Sequence, residues 1–346
     1  SAIAFGVFLS GQGRVWADKF EVLVDGKPIH QAMYSAFVPD YSSITTSGVK
    51  AVGSSAIVHA RLKEWAQIWG LLKYRHPELA KGQQEWDQQL FATINKINQS
   101  NDLSAMEQHY MEMLDKLGTV VAAASPAIAT EIKQQSNYDW IEQLPYSAAL
   151  KERLSALQYA SFTNHYYYRF TPQVGNVVIE NEYPYIHLEN PDVGFRLLSL
   201  FRYWNIVHYF SPYRYLVGQP WTSVLDVYIP KMIASNTALE YQITSAAMLT
   251  EMKDAHTKLW NSPAALRQWM GERTAPARIQ YVEGKPMVIQ LDSNFLVTSG
   301  LQVEDIIREK NGKTIKEIQD SVFYLISSPN AAVIAREMAS VVLRSN

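Results

Sequence analysis

The residues able to do chemistry are few, and one short run concentrates them. Asp254-Ala255-His256-Thr257 sets a carboxylate two positions before an imidazole and a hydroxyl directly after it. Histidine, with an unperturbed pKa near about 6.5, accepts and returns a proton around neutrality. Asp254 could orient that ring, but an aspartate near a helix end is more often a solvated or locally hydrogen-bonded group. Taken alone, His256 reads as a loop histidine without a role.

Other constellations are weaker. His76, His109, His165, His187 and His208 show neither H-x-x-x-H nor H-x-H spacing, and cysteine is absent. Thiolate nucleophiles, disulfide frameworks and cysteine-bound metals therefore drop out, and no metal or organic cofactor is implied. The paired acids Asp18 with Glu21 and Glu180 with Glu182 read as solvated charges rather than a glycosidase pair. No G-x-S-x-G, P-loop or complete G-x-G-x-x-G occurs, since Gly11-Gln12-Gly13 lacks the third glycine and a following helix.

The elements that must hold such residues follow from composition and periodicity. At 346 residues, 47% hydrophobic and 18% charged, the chain is long enough for two or three folded domains. A net charge of -2 with dispersed Lys and Arg gives no footprint for nucleic acid. No run of about 18 apolar residues predicts a membrane-spanning helix. The 9 Trp and 20 Tyr point to interdigitated helix packing, with carbohydrate binding as the sharper alternative.

The expected organisation is a multidomain α+β chain. Residues 1–30 read as two β-strands of an incomplete sheet or sandwich, turning at Asp25-Gly26, and 31–58 as a linker or mobile loop. Apolar spacing from Leu62 through Trp65, Ile68, Trp69 and Leu72, then Trp86 to Ile97, Met106 to Leu117 and Leu150 to Tyr159, predicts a helical bundle over 59–170. A short strand near 174–182 precedes three helices, Arg196–Phe210, Trp221–Ile233 and Ile243–Met252, in a second helical unit over 171–274. The period then shortens to strands at Ile279–Val282, Met287–Leu291 and Asp305–Glu309, with turns at Glu283-Gly284 and Asn311-Gly312, predicting a β-rich domain over 275–346.

Within that last segment, Gly300-Leu301-Gln302-Val303-Glu304-Asp305-Ile306-Ile307 followed by Lys310-Asn311-Gly312-Lys313-Thr314-Ile315 resembles the G-L-x-x-G-D-x-I…x-N-G core of protease-type PDZ domains. Upstream, Arg196-Leu197-Leu198-Ser199-Leu200-Phe201-Arg202-Tyr203-Trp204-Asn205, Tyr209-Phe210-Ser211-Pro212-Tyr213 and the D-x-H-T run at 254–257 resemble the helical lead-in of S41 (tail-specific) serine peptidases. The tricorn-like branch is the nearest in style, and the resemblance covers about residues 60–346. Two positions depart from the pattern. Ala255 stands where relatives often carry a hydroxyl residue. Glu304 stands where the family has glycine, so a positive φ there would leave the turn strained or rearranged.

The resemblance implies serine-mediated hydrolysis of peptide bonds, with His256 as general base and a PDZ-like domain engaging a peptide or unfolded polypeptide. It implies no cofactor. It also implies that the serine, its activating environment and the oxyanion donors belong to a catalytic α/β domain following residue 346, so this chain alone would be inactive. A periplasmic or extracellular location is the family-level expectation. The rival reading is a non-catalytic envelope protein that uses the same scaffold to capture peptides or glycans.

Overall fold

The computed structural model describes residues 14, 21, 23–24, 27–28, 41–100, 102–120, 136–162, 165–173, 175–259, 263–292, 294 and 299–345. The chain divides into two units, 1–43 and 44–346. In the first, β1 (Leu23–Val24) and β2 (Lys27–Pro28) pair antiparallel on either side of Asp25-Gly26, and Tyr41–Ser43 forms a 3-10 turn. Apart from Arg14 and Glu21, the remainder of the expected first strand, and residues 31–40 of the expected linker, lie outside the described residues.

The second unit mixes helices with small antiparallel strand pairs. Of the segment expected as linker, residues 46–49 are tied down. The Asp192 carboxylate accepts from the Ser47 backbone N–H at 2.8 Å and from its hydroxyl at 2.6 Å, and Val49 is buried. Helix α1 (Ala56–Arg75) follows, capped by the Ser55 hydroxyl on the Val58 N–H. It ends at His76, held extended ahead of Pro77, which opens the short α2 (Pro77–Ala80). Then come α3 (Trp86–Gln99), α4 (Leu103–Leu117) and α5 (Ala148–Ala156). The hairpin of β3 (Tyr168–Phe170) and β4 (Val177–Ile179) leads to α6 (Val193–Phe210), α7 (Ser223–Ala234) and α8 (Ala238–Thr250).

Helix α1 is buried nearly all round, as a helix apolar on several faces must be, and it packs against α3, α6 and α7. The expected bundle and the second helical unit thus share one core. Trp65, Trp69 and Trp204 are fully buried there.

That core contains one motif twice. The Trp69 indole N–H donates to the Trp86 carbonyl at 3.0 Å, and Trp86 returns the same bond to Trp69 at 3.0 Å. Trp204 and Trp221 repeat the clasp at 2.9 and 3.0 Å. An offset of 135 residues carries Trp69 to Trp204, Trp86 to Trp221, Arg61 to Arg196, Tyr74 to Tyr209 and Pro77 to Pro212. The α1–α3 and α6–α7 hairpins are therefore two copies of one unit, with α1 against α7 matching α6 against α3. Where the copies meet, Gly70 faces Asn205, the residue at its own offset, and a Cβ on Gly70 would overlap the Asn205 amide. The Asn205 Nδ2 donates to the Ala66 and Phe201 carbonyls at 2.9 and 2.8 Å, again a matched pair of positions.

The C-terminal part is built on α9 (Ala264–Met270) and the strands β5 (Arg273–Thr274), β6 (Ala277–Val282) and β7 (Lys285–Leu291). After them come β8 (Glu309–Lys310), β9 (Lys313–Thr314), α10 (Ile315–Val322), α11 (Ala331–Val342) and β10 (Arg344–Ser345). The strands pair two by two, β6 with β7, β8 with β9, and β5 with β10. Both residues of Glu283-Gly284 and of Asn311-Gly312 take positive φ, the geometry that tight two-residue hairpins require. The two amphipathic helices were not anticipated; Ile315, Ala339 and Val342 close over Ile279 of β6.

Candidate functional site

Helix α8 runs out at Thr250, and the chain leaves it through Lys253, whose φ of 52° is a left-handed helix stop. Glu251 fixes this exit by accepting from the Tyr228 hydroxyl and the Gln219 amide, both at 2.8 Å. The next residue, Asp254, organises the loop. Its Oδ1 accepts from the His256 backbone N–H at 2.9 Å and lies 2.9 Å from the ring Nδ1. Its carbonyl accepts from the Thr257 N–H at 2.9 Å and from the Ser327 hydroxyl at 2.7 Å, which ties the loop to the C-terminal part. The His256 backbone N–H, and then the ring, hold the Asp254 carboxyl below the usual carboxylate range.

Asp254 is thus the locally bonded group that the sequence suggests, and it also orients the imidazole. With Nδ1–H directed to Asp254, the neutral ring presents the lone pair on Nε2. The side chain is 92% exposed, and among the described residues Nε2 has no partner. A ring so held can take a proton from a hydroxyl brought to it from outside. Among the described residues no serine hydroxyl bonds to it.

Beneath the loop lies a cleft of about 310 Å³, lined by Ala255 and Thr257 on either side of His256 and by Leu325, Ile326 and Ser327 opposite. The segment resembling a PDZ core runs alongside β7. The Glu304 N–H donates to the Val288 carbonyl at 2.8 Å, the Val288 N–H to the Asp305 carbonyl at 2.9 Å, and the Ile307 N–H to the Pro286 carbonyl at 3.0 Å. Glu304 keeps a φ of 78°, so the turn retains the glycine-favouring conformation and carries strain rather than rearranging.

A second polar cluster escaped the sequence reading. Lys73, only 1% exposed, pairs with Glu182 at 2.8 Å and Asp87 at 3.4 Å. Arg202 joins both carboxylates, reaching Glu182 at 2.9 Å, while the Tyr74 and Tyr185 hydroxyls donate to Glu182 and Asp87 at 3.1 Å each. Burial pushes the Asp87 carboxyl upward, but the Arg202 and Lys73 cations outweigh it and leave it below its ordinary value. Glu180 and Glu182, grouped as solvated charges, therefore part company. Glu180 meets Arg169 near the surface, whereas Glu182 is half-buried between Lys73 and Arg202. The available signal was Lys73, which sits four residues after Trp69 inside an apolar stripe.

Among the described residues no group of three His, Cys, Asp or Glu side chains is placed to hold a metal. Nor is any described helix long and apolar enough to cross a membrane. No protein family, no curated protein and no solved structure matches this chain.

Proposed function

We propose that this chain is the substrate-handling and general-base portion of an exported S41-type serine endopeptidase. His256 accepts the proton of a serine hydroxyl supplied from outside the chain and returns it to the leaving amine, while Asp254 fixes the ring tautomer and orientation. The observation that carries the reading is the Asp254–His256 pair itself, a ring anchored at Nδ1 and open at Nε2 on a loop braced by Glu251 and Ser327. The 300–315 segment, laid along β7 with its Asn311-Gly312 turn, supports a PDZ-like role in engaging polypeptide.

A non-catalytic envelope protein binding peptides or glycans is the second reading, favoured by Ala255, which leaves the ring without a neighbouring hydroxyl on that side. One comparison separates the two. Full-length protein should cleave an unfolded polypeptide, and His256→Ala should lower that rate by about 10²–10⁴-fold with the fold unchanged by circular dichroism. Equal cleavage by both proteins removes His256 from the mechanism, and no cleavage by either favours the binder.

A further inference from the structure

We propose that the cleft under the Asp254–His256 loop is a specificity pocket that takes one large aliphatic or aromatic side chain of a polypeptide laid beside His256. The inference rests on the peptidase reading for its chemistry, whereas the pocket's shape and lining stand apart from it.

Three features point to that occupant. The lining is mainly apolar, drawn from Leu266, Met270, Val322, Leu325, Val333 and Val341, with α9, α10 and α11 all contributing. Such a surface rewards burial of an apolar side chain and offers few anchors to a small polar molecule. Its volume of about 310 Å³ lies at the small end of ligand sites, which run from roughly 300 to 1,000 Å³ and must hold whole cofactors at the upper end. Finally, the charged residues Lys258, Glu337 and Arg344 complete the lining, the arrangement of an apolar floor with polar groups that suits a peptide whose backbone stays wet.

Position supplies the specificity argument. Ala255 and Thr257 line the pocket while His256 between them points into solvent, so a side chain seated here brings its own backbone next to the imidazole. Ser327 lines the same pocket and donates to the Asp254 carbonyl, so one wall serves both the pocket and the catalytic loop. Binding at this point would set which peptide bond lies within reach of a nucleophile delivered to Nε2.

The test needs no hydrolysis. The 346-residue chain is titrated with acetyl-Ala-Ala-X-Ala-Ala-amide, where X is Leu, Ala or Lys, while the His256 ring signals are followed by NMR. The Leu peptide should bind at least about tenfold more tightly than the Lys peptide and shift the His256 signals. Ala246→Trp, which fills the pocket from α8, and Val333→Lys, which places a charge in its half-buried wall, should each abolish the preference. His256→Ala, followed through the backbone amide signals of Ala255 and Thr257 instead, should keep it. Equal affinity for the three peptides, or a Leu preference that survives both pocket variants, overturns the proposal. An intact preference alongside unaltered cleavage by His256→Ala supports the pocket and overturns the peptidase reading alone.

Discussion

The two tryptophan-clasped hairpins differ in what fills the same slots. At the offset of 135, Lys73 in α1 corresponds to His208 in α6, and Asp87 in α3 to Thr222 just ahead of α7. In the first copy Lys73 and Asp87 carry charge, and with Glu182 and Arg202, which reach in from outside that copy, they form a network of two cations and two carboxylates that leaves no formal charge uncompensated. The second buries a neutral imidazole stacked on Trp204 with centroids 4.6 Å apart, its Nε2–H donating to the Asn137 carbonyl at 2.8 Å. Desolvation, reinforced by Arg214, pushes the His208 pKa down to about 3. The clasp and the apolar stripes set the skeleton; the polar slots can vary if each copy either pairs its charges or discards them.

The sharpest way to break this comparison is to unpair the first copy. Lys73→Met leaves two carboxylates facing Arg202 alone and should cost about 3–5 kcal/mol in urea unfolding. His208→Gln in the second copy should cost about 1 kcal/mol, the scale of one neutral hydrogen bond. Equal losses would mean that the two slots are energetically alike. Next in size, Gly70→Ala forces a methyl group into the Asn205 amide and should cost about 1–3 kcal/mol. Asn205→Ala in the same chain should recover much of that loss, and additive costs would remove the close approach between the copies.

The copies should also differ in their response to acid. The folded pKa of His208 lies below its unfolded value near about 6.5, so the unfolded chain binds the extra proton. Stability present above about pH 6.5 is therefore lost as the pH falls toward 3, by at most about 1.4 kcal/mol per pH unit. His109 and His165, held down to about 4 chiefly by desolvation, act in the same direction. His208→Gln should flatten the slope between pH 6 and 4, whereas the Asp87 network, with its carboxyl lowered, should resist acid until below about pH 4. A wild-type slope in His208→Gln would contradict this. The smallest effect belongs to the C-terminal part. Glu304→Gly should raise the melting temperature, by the equivalent of roughly 1 kcal/mol, because glycine carries no side-chain penalty at a φ of 78°.

Much of the skeleton is written in local pattern. Apolar spacing marks α3, α4, α6 and α7 to within a few residues and the bodies of α1 and α8, which begin earlier than the pattern, at Ala56 inside the expected linker and at Ala238, and Glu283-Gly284 and Asn311-Gly312 announce their turns. What stays hidden is pairing at a distance. Neither the reciprocal bonds of the tryptophans nor the meeting of Gly70 with Asn205 has a local signature, and the duplication behind them shows only when residues 61–97 are laid beside 196–232. Glu182 looks solvated because its partners lie 109 positions before it and 20 after it. His256 is visible in its motif, and its anchor on Asp254 is local enough to foresee. The brace from Ser327, 73 residues onward, is not.

The catalytic assignment of the Asp254–His256 pair is tested most directly by steady-state hydrolysis of an unfolded polypeptide by the full-length protein and its Asp254→Asn variant. The amide removes the charge that holds Nδ1–H, so kcat should fall by about 10²–10⁴-fold while KM stays within about twofold. An unchanged kcat, with the variant folded, would contradict the assignment.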